Sequence, residues 1–282
     1  MLVTLVGCRD SVPEEVRERA IINGAAGALE AAGTATAVFA FELNGYGGTL
    51  FKWKGTTRWR FGDELVSETE FDTFAISIAF VERNPHPFGT RRLVARDVRR
   101  ITVGEDHFYQ SSEFDLLAGK TWLEVEPGWY FEESLSEIGG PDFPLADPLW
   151  HLAVLASADG GLVYGGDTTK EIDGVTVTRY DLDCHLDKGC SYPAGSDRVE
   201  RLFPRPARNW VLVGVWVDEH GAPRELEVLL TLYDGDGDQY RLEGTVTFRG
   251  LGEPVKIETP LDDQVQVGWD FTEVLAWPDA DT

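Results

Sequence analysis

The sequence predicts an α+β fold built around one large antiparallel sheet. Three observations predict it. After Gly33, strand-length runs alternate apolar and polar residues with period two, one run after another. Only two stretches carry a helical period, and neighbouring runs are joined by short turns containing Gly, Asp or Pro. The reading gives about ten strands and two principal helices. No composition break, long repeat or low-complexity tract divides the chain.

The first helix is expected from Val12 to Gly33. Pro13 suits a first turn, Glu14 and Glu15 complement the positive end of the helix dipole, and Gly33 suits the end. Val16, Ala20, Ile21, Ala25 and Leu29 form its expected apolar stripe. Strands follow in which Phe39, Phe41 and Leu43 share a face, and Phe51, Trp53, Trp59 and Phe61 share parity. Lys52, Lys54, Arg58 and Arg60 take the opposite face, with room for a turn or bulge at Gly55 and Thr56. Phe74, Ile76, Ile78 and Phe80 alternate with Thr73, Ala75, Ser77 and Ala79.

Arg91 to Ser111 reads as two strands around a turn at Gly104, and Gly119 to Val125 as another. The second helix is expected between Leu145 and Ser157, where Pro144 precedes an apolar side of Leu145, Leu149, Leu152 and Leu155. Strands resume at Val175 to Leu182, Trp210 to Val217 and Leu226 to Tyr233, the last two flanking a turn at His220 and Gly221. Tyr240, Leu242, Val246 and Phe248 then alternate with Arg241, Glu243, Thr245 and Thr247, as a half-buried antiparallel strand requires. The residues after Ile257 hold seven acids and no Lys or Arg, and read as a solvated tail held by Trp269 and Trp277.

Composition narrows the function classes. With 43% hydrophobic and 11% aromatic residues among 282, the chain can bury a real core. Its 49 acids against 25 Lys and Arg give a net charge of −24, which repels nucleic-acid phosphates and anionic lipid heads alike. Nucleic acid is thus not an expected partner, and membrane residence requires a covalent or apolar anchor.

Motifs for catalysis and metal binding are sparse. His86, His107, His151, His185 and His220 share no ligand spacing, so no metal or cofactor is expected. The YDGDGDQY run from Tyr233 to Tyr240 resembles a calcium loop through Asp234, Asp236 and Asp238. Gln239 and Thr245 occupy the positions where such a loop needs Gly and Glu, and a hairpin turn fits better. There is no nucleophile elbow or Walker sequence, and Cys184 and His185 point to opposite faces of a strand, so no catalytic residue is assigned. Cys184 and Cys190 enclose the turn-like HLDKG and read as a disulfide, with two reduced thiols as the alternative. Arg91, Arg92, Arg96, Arg99 and Arg100 read as partners of neighbouring carboxylates, with an anionic head group as the functional alternative.

Leu5, Val6, Gly7 and Cys8 resemble a lipobox, the end of a bacterial lipoprotein signal peptide at which the cysteine becomes acylated. The other reading of these residues is a buried strand, LVTLV, with an incidental cysteine. Four further segments, in order and spacing, resemble the LolA-like lipoproteins of actinobacteria, of the LppX and LprG types. They are GKTWLEV (Gly119 to Val125), GGDTTKEIDGVTVTRYDLD (Gly165 to Asp183), VWVDEHGAPREL (Val215 to Leu226) and LGEPVKIETPLDDQV (Leu251 to Val265).

The resemblance implies a single strongly curved, incompletely closed antiparallel half-barrel with helices packed on its concave side. It also implies an extracytoplasmic lipoprotein, not an enzyme, at the outer face of the cytoplasmic membrane, binding a lipid, glycolipid or acyl chain. Residues 1–8 are then a signal-peptide remnant with Cys8 the lipidation site, 9–266 the lipoprotein domain and 267–282 an acidic tail. An envelope protein partner fits the same picture. By parity, Phe39, Phe41, Phe51, Trp53, Phe74, Ile76, Ile78, Phe80, Leu226, Val228, Leu230, Tyr240, Leu242 and Val246 are expected to line the concave face. Leu149, Leu152 and Leu155 are the expected lid. The same residues equally suit a filled core, in which case the scaffold serves as a sensor or interaction domain.

Overall fold

The computed structural model describes residues 14–45, 48–76, 94–95, 97–104, 106–112, 114–125, 144–193 and 196–268. Cys8, Ile78, Phe80, Trp269, Trp277, Arg91, Arg92 and Arg96 lie outside them. Helix α1 (Glu14–Ala31) leads into β1 (Thr34–Gly45), β2 (Gly48–Arg60), β3 (Val66–Ile76), β4 (Val94–Ala95), β5 (Val98–Val103), β6 (Asp106–Gln110) and β7 (Trp122–Val125). Helix α2 (Pro148–Ala156), β8 (Leu162–Ile172), β9 (Val175–His185) and helix α3 (Asp197–Leu202) follow. β10 (Trp210–Val217), β11 (Pro223–Tyr233), β12 (Gln239–Arg249) and β13 (Val265–Gly268) complete the described order.

The thirteen described strands form one sheet, in the order β13-β7-β6-β5-β3-β2-β1-β12-β11-β10-β9-β8, with β4 beside β3. Among them β13 pairs with β7 in parallel and the other pairings are antiparallel. Among the described residues β8 and β13 are edges that do not meet, so the sheet is not closed.

The sheet curls around its helices. From β5 to β9 the path takes seven strand-to-strand steps, which would span about 34 Å if flat. Yet Asp147, the N-cap of α2, lies 3.7 Å from Arg100 on β5. At the other end of α2, Ser157 exchanges hydrogen bonds with Ser191, the neighbour of Cys190, which is bonded to Cys184 on β9. A nine-residue helix is only about 14 Å long, so curvature closes the difference. Register shifts at Leu43/Asn44, Lys54/Gly55, Gly165/Thr169 and Trp216/Val217 supply local bends.

Alternation decides which residues face inward. Phe39, Phe41 and Leu43 on β1, Phe51, Trp53 and Trp59 on β2, and Leu226, Val228 and Leu230 on β11 are all buried in one cluster, as are Tyr240, Leu242, Val246 and Phe248 on β12. The bulge expected near Gly55 is present. Asp234 accepts hydrogen bonds from the N–H groups of Gly237 and Asp238 and from the Tyr240 hydroxyl, which makes YDGDGDQY the β11–β12 hairpin turn.

The described residues hold thirteen strands where alternation marks about ten, because short or mainly exposed strands such as β4, β8 and β13 carry little alternation. Three expectations need correction. On α1 the buried stripe is Ile22, Ala25 and Leu29, whereas Val16 and Ala20 are exposed. Polar residues on this helix do structural work: Arg19 donates to the carbonyls of Gly160 and Gly161, and Asn23 to that of Ala158. Helix α2 starts at Pro148, with Leu145 in a preceding 3-10 turn, because the Asp147 carboxylate caps it by accepting from the Leu149 N–H.

The stretch after Ile257 is also not all tail. Residues after β12 cross the outer face, where Ile257 packs with Val66, Ile101 and Trp122, and β13 then joins β7. The strand runs to Gly268.

Cys184 and Cys190 form the expected disulfide. Its loop packs tightly on the α2–β8 connection, where the Gly160 N–H donates to the Gly189 carbonyl. A side chain at Gly189 would come within 2.3 Å of the Gly161 nitrogen, so only glycine fits. Reduction is expected to lower the unfolding free energy by about 2 kcal/mol, the chain-entropy value for so short a loop. Denaturation midpoints with and without reductant check this, and equal midpoints would reject it.

Candidate functional site

The candidate site is the space between the curved sheet and helices α1 and α2. Helix α2, sequence PLWHLAVLA, buries Pro148, Trp150, His151, Leu152, Val154 and Leu155. A helix apolar on nearly every side is enclosed on nearly every side, here by α1 and by the inner face of the sheet.

The expected concave-face residues are brought together as one apolar cluster: Phe39, Phe41, Phe51, Trp53, Leu226, Val228, Leu230, Tyr240, Leu242 and Val246. Rings stack within it, Phe39 on Phe41 at 5.7 Å and Phe51 on Trp53 at 5.6 Å. Of the expected lid, Leu152 and Leu155 are buried in this cluster and Leu149 is half-buried against it. Phe74 and Ile76 pair with Trp53 and Phe51 in the β2–β3 register.

The pattern reading missed the inner-face residues of β3, β5, β10 and α3. Phe71 and Val98 share the cluster, as do Val211, Val213 and Val215, and Val199 and Phe203. β10 has a two-faced signal in its sequence, WVLVGVWV, a near-continuous apolar run that marks a strand buried on both sides.

A fully buried histidine stands in this interior. His151 is 0% exposed, its ring 4.7 Å from that of Phe41 and 5.1 Å from that of Trp150. Its Nε2 lies 3.0 Å from the Leu145 carbonyl oxygen, which can only accept, so Nε2 carries the proton. Its Nδ1 has no hydrogen-bond partner. Burial lowers the imidazole pKa to about 4, against a smaller opposite push from the Leu145 carbonyl. The sequence carried no signal for this beyond a lone histidine in an apolar run.

The two arginines of β5 divide between the faces, Arg100 inward beside α2 and Arg99 outward. Arg100 is buried, with Asp147 3.7 Å away and the Phe71 ring below it at 5.8 Å. Arg99 pairs with Glu68 and stacks over Trp122 at 5.1 Å. Both thus meet neighbouring carboxylates.

Over β1, β12, β11, β10 and β9 the opposite face of the sheet is polar. A groove of about 600 Å3 runs over Ala40, Leu212, Gly214, Leu229 and Thr245, with walls of Glu42, Arg179, Glu227, Arg241 and Glu243. Its charges are mutually engaged: Arg179 pairs with Asp181 and Glu227, Glu42 with Lys52, and Arg241 with Glu243. Among the described residues no group of His, Cys, Asp or Glu is placed to hold a metal ion, and no helix is long and apolar enough to cross a membrane.

The fold and site define a class: an open, curved sheet wrapped around helices, with an apolar inner face and a charged outer one. No protein-family model matches the chain, and no curated protein matches it in sequence. Solved structures similar to it include LprF from Mycobacterium bovis, 11% identical, with a TM-score of 0.46 over 87% of this chain and 97% of that one. A LolA superfamily protein, NE2245 from Nitrosomonas europaea, is 9% identical, with a TM-score of 0.29 over 82% of this chain and 93% of that one. A DUF1329 family protein from Desulfovibrio piger is 8% identical, with a TM-score of 0.30 over 83% and 91%. At these identities and scores, the functional reading rests on the chain's own geometry.

Proposed function

We propose that this protein binds a hydrophobic ligand, a lipid, glycolipid or acyl chain, between its curved sheet and its helices and carries it at the outer side of the cytoplasmic membrane. The observation that carries this reading is α2: a nine-residue helix, apolar on nearly every side, set inside a sheet that is not closed. A short apolar helix inside an unclosed sheet is an element that can part from the sheet and let an alkyl chain replace its contacts. Each buried CH2 would contribute about 0.8 kcal/mol, so a long chain needs apolar surface rather than catalytic groups. In this reading Phe39, Phe41, Phe51, Trp53, Leu226, Val228, Leu230, Tyr240, Leu242 and Val246 line the site under a lid of Leu149, Leu152 and Leu155. Cys8 carries the acyl anchor, the disulfide fits an oxidising compartment, and no covalent chemistry is required.

One observation favours a second reading. The described members of the inner face are closed to solvent, as in a filled core. The same scaffold would then be an extracytoplasmic sensor or interaction domain that meets a protein or cell-wall component.

Organic extraction and native mass spectrometry separate the two. Protein purified from an actinobacterial host is expected to carry a co-purifying lipid that adds a discrete mass. A clean apo mass, with no uptake of added lipid, would remove the carrier reading and leave the second.

A further inference from the structure

The orphaned Nδ1 of His151 suggests what kind of apolar ligand the interior takes. Buried polar atoms are nearly always hydrogen-bonded, because a group stripped of water and left unpaired costs free energy. The other polar side chains of α2 and its caps are engaged, the Trp150 indole N–H donating to Ser196, Asp147 capping the helix and Ser157 bonding Ser191, while Asn23 Oδ1 on α1 is a second acceptor without a donor. Of the two, His151 Nδ1 belongs to the fully buried residue.

We propose that His151 Nδ1 accepts a hydrogen bond from a hydroxyl group on the bound lipid, so that the protein selects long-chain alcohols and hydroxyl-bearing acylglycerols. This rests on the carrier reading above. The direction of the bond follows from the other nitrogen: Nε2–H donates to the Leu145 carbonyl, so Nδ1 presents only a lone pair. A carboxylate, all acceptor, would set lone pair against lone pair, and the imidazole is neutral at pH 7 because burial depresses its pKa. Water is a poor substitute. It needs two to four polar partners, whereas the rings of Phe41 and Trp150 flank this histidine. A ligand hydroxyl supplies the donor and brings its own apolar chain to cover those rings. A chain entering between α2 and β1 would part the His151 and Phe41 rings, whose centroids are 4.7 Å apart.

The test compares 1-hexadecanol with its methyl ether, which has the same oxygen and no donor. Each displaces a pyrene-labelled alkane from delipidated protein, followed by fluorescence. The wild type is expected to bind the alcohol about tenfold more tightly than the ether, the worth of one hydrogen bond. In His151→Phe the ratio should fall to about one, while His151→Asn, whose Oδ1 stands near the place of Nδ1, should keep the preference for the alcohol. Equal binding of alcohol and ether by the wild type would overturn the hydroxyl assignment and leave carriage intact. A tenfold preference that survives in His151→Phe would overturn the role of His151. If the pyrene-labelled alkane itself does not bind the wild type, the carrier reading fails and this assignment fails with it.

Discussion

Replacing Gly55 by alanine is expected to lower the unfolding free energy by about 3 kcal/mol, the upper end of what overpacking a closed interior costs. Gly55 sits at the β2–β3 bulge, paired with Phe39 on one side and Phe71 on the other. A Cβ there would stand 2.2 Å from the Glu70 carbonyl oxygen and 3.1 Å from the Phe71 Cα. These are backbone atoms in the middle of the sheet, so no side chain can turn aside and the two strands must part. Gly27 is the control of opposite sign. It lies in α1 with nothing within 4 Å of its Cβ position. Gly27→Ala should raise stability by about 0.5 to 1 kcal/mol through helix propensity and a stiffer unfolded chain. Urea midpoints at constant m-value measure both. A Gly55→Ala midpoint equal to that of the wild type would disprove the close approach.

Acidification should destabilise the protein through His151 before the carboxylates dominate. The imidazole titrates near 6.5 when unfolded, whereas burial holds it to about 4 when folded. Its folded pKa is the lower of the two, so the unfolded state binds the extra proton between these values. Stability is therefore full above pH 6.5 and falls as the pH drops towards 4. The whole shift corresponds to a loss on the order of 3 kcal/mol. Between pH 6.5 and 5 most carboxylates remain ionised, so that window isolates the histidine. His151→Phe is expected to flatten the stability profile there. A wild-type and variant pair with parallel profiles would show that His151 is not closed off from water as described.

Much of the architecture was legible because antiparallel strands with one buried face write their geometry into alternate positions. Phe39 and Phe41, Trp53 and Trp59, and Tyr240 and Leu242 mark the inner face by parity alone, and Asp-Gly pairs mark their turns. Where that coupling lapses the reading fails. β8 is mostly exposed and so shows no alternation, and β13 has only four residues. On α1 the apolar residues are too evenly spread to choose a stripe, and the helix turned Ile22 inward rather than Val16 because its Arg19 and Asn23 are held by the α2–β8 connection.

The candidate site divides in the same way. Its apolar members are visible in sequence because burial selects their chemistry one residue at a time. His151 is not, since what distinguishes it is a missing partner, and a partner is a property of the assembled interior.

By itself, then, the sequence determined the α+β class, the faces of the long strands, the hairpin turns and the proximity of Cys184 to Cys190, all of which depend on neighbours a few residues apart. Only the tertiary structure decided the strand order, the strap of residues leading to β13, the curvature around α2 and the isolation of His151. Those depend on which distant segments meet: Arg100 with Asp147, Ser157 with Ser191, Ile257 with Trp122. Local periodicity encodes the face a residue shows, and only packing encodes what that face meets.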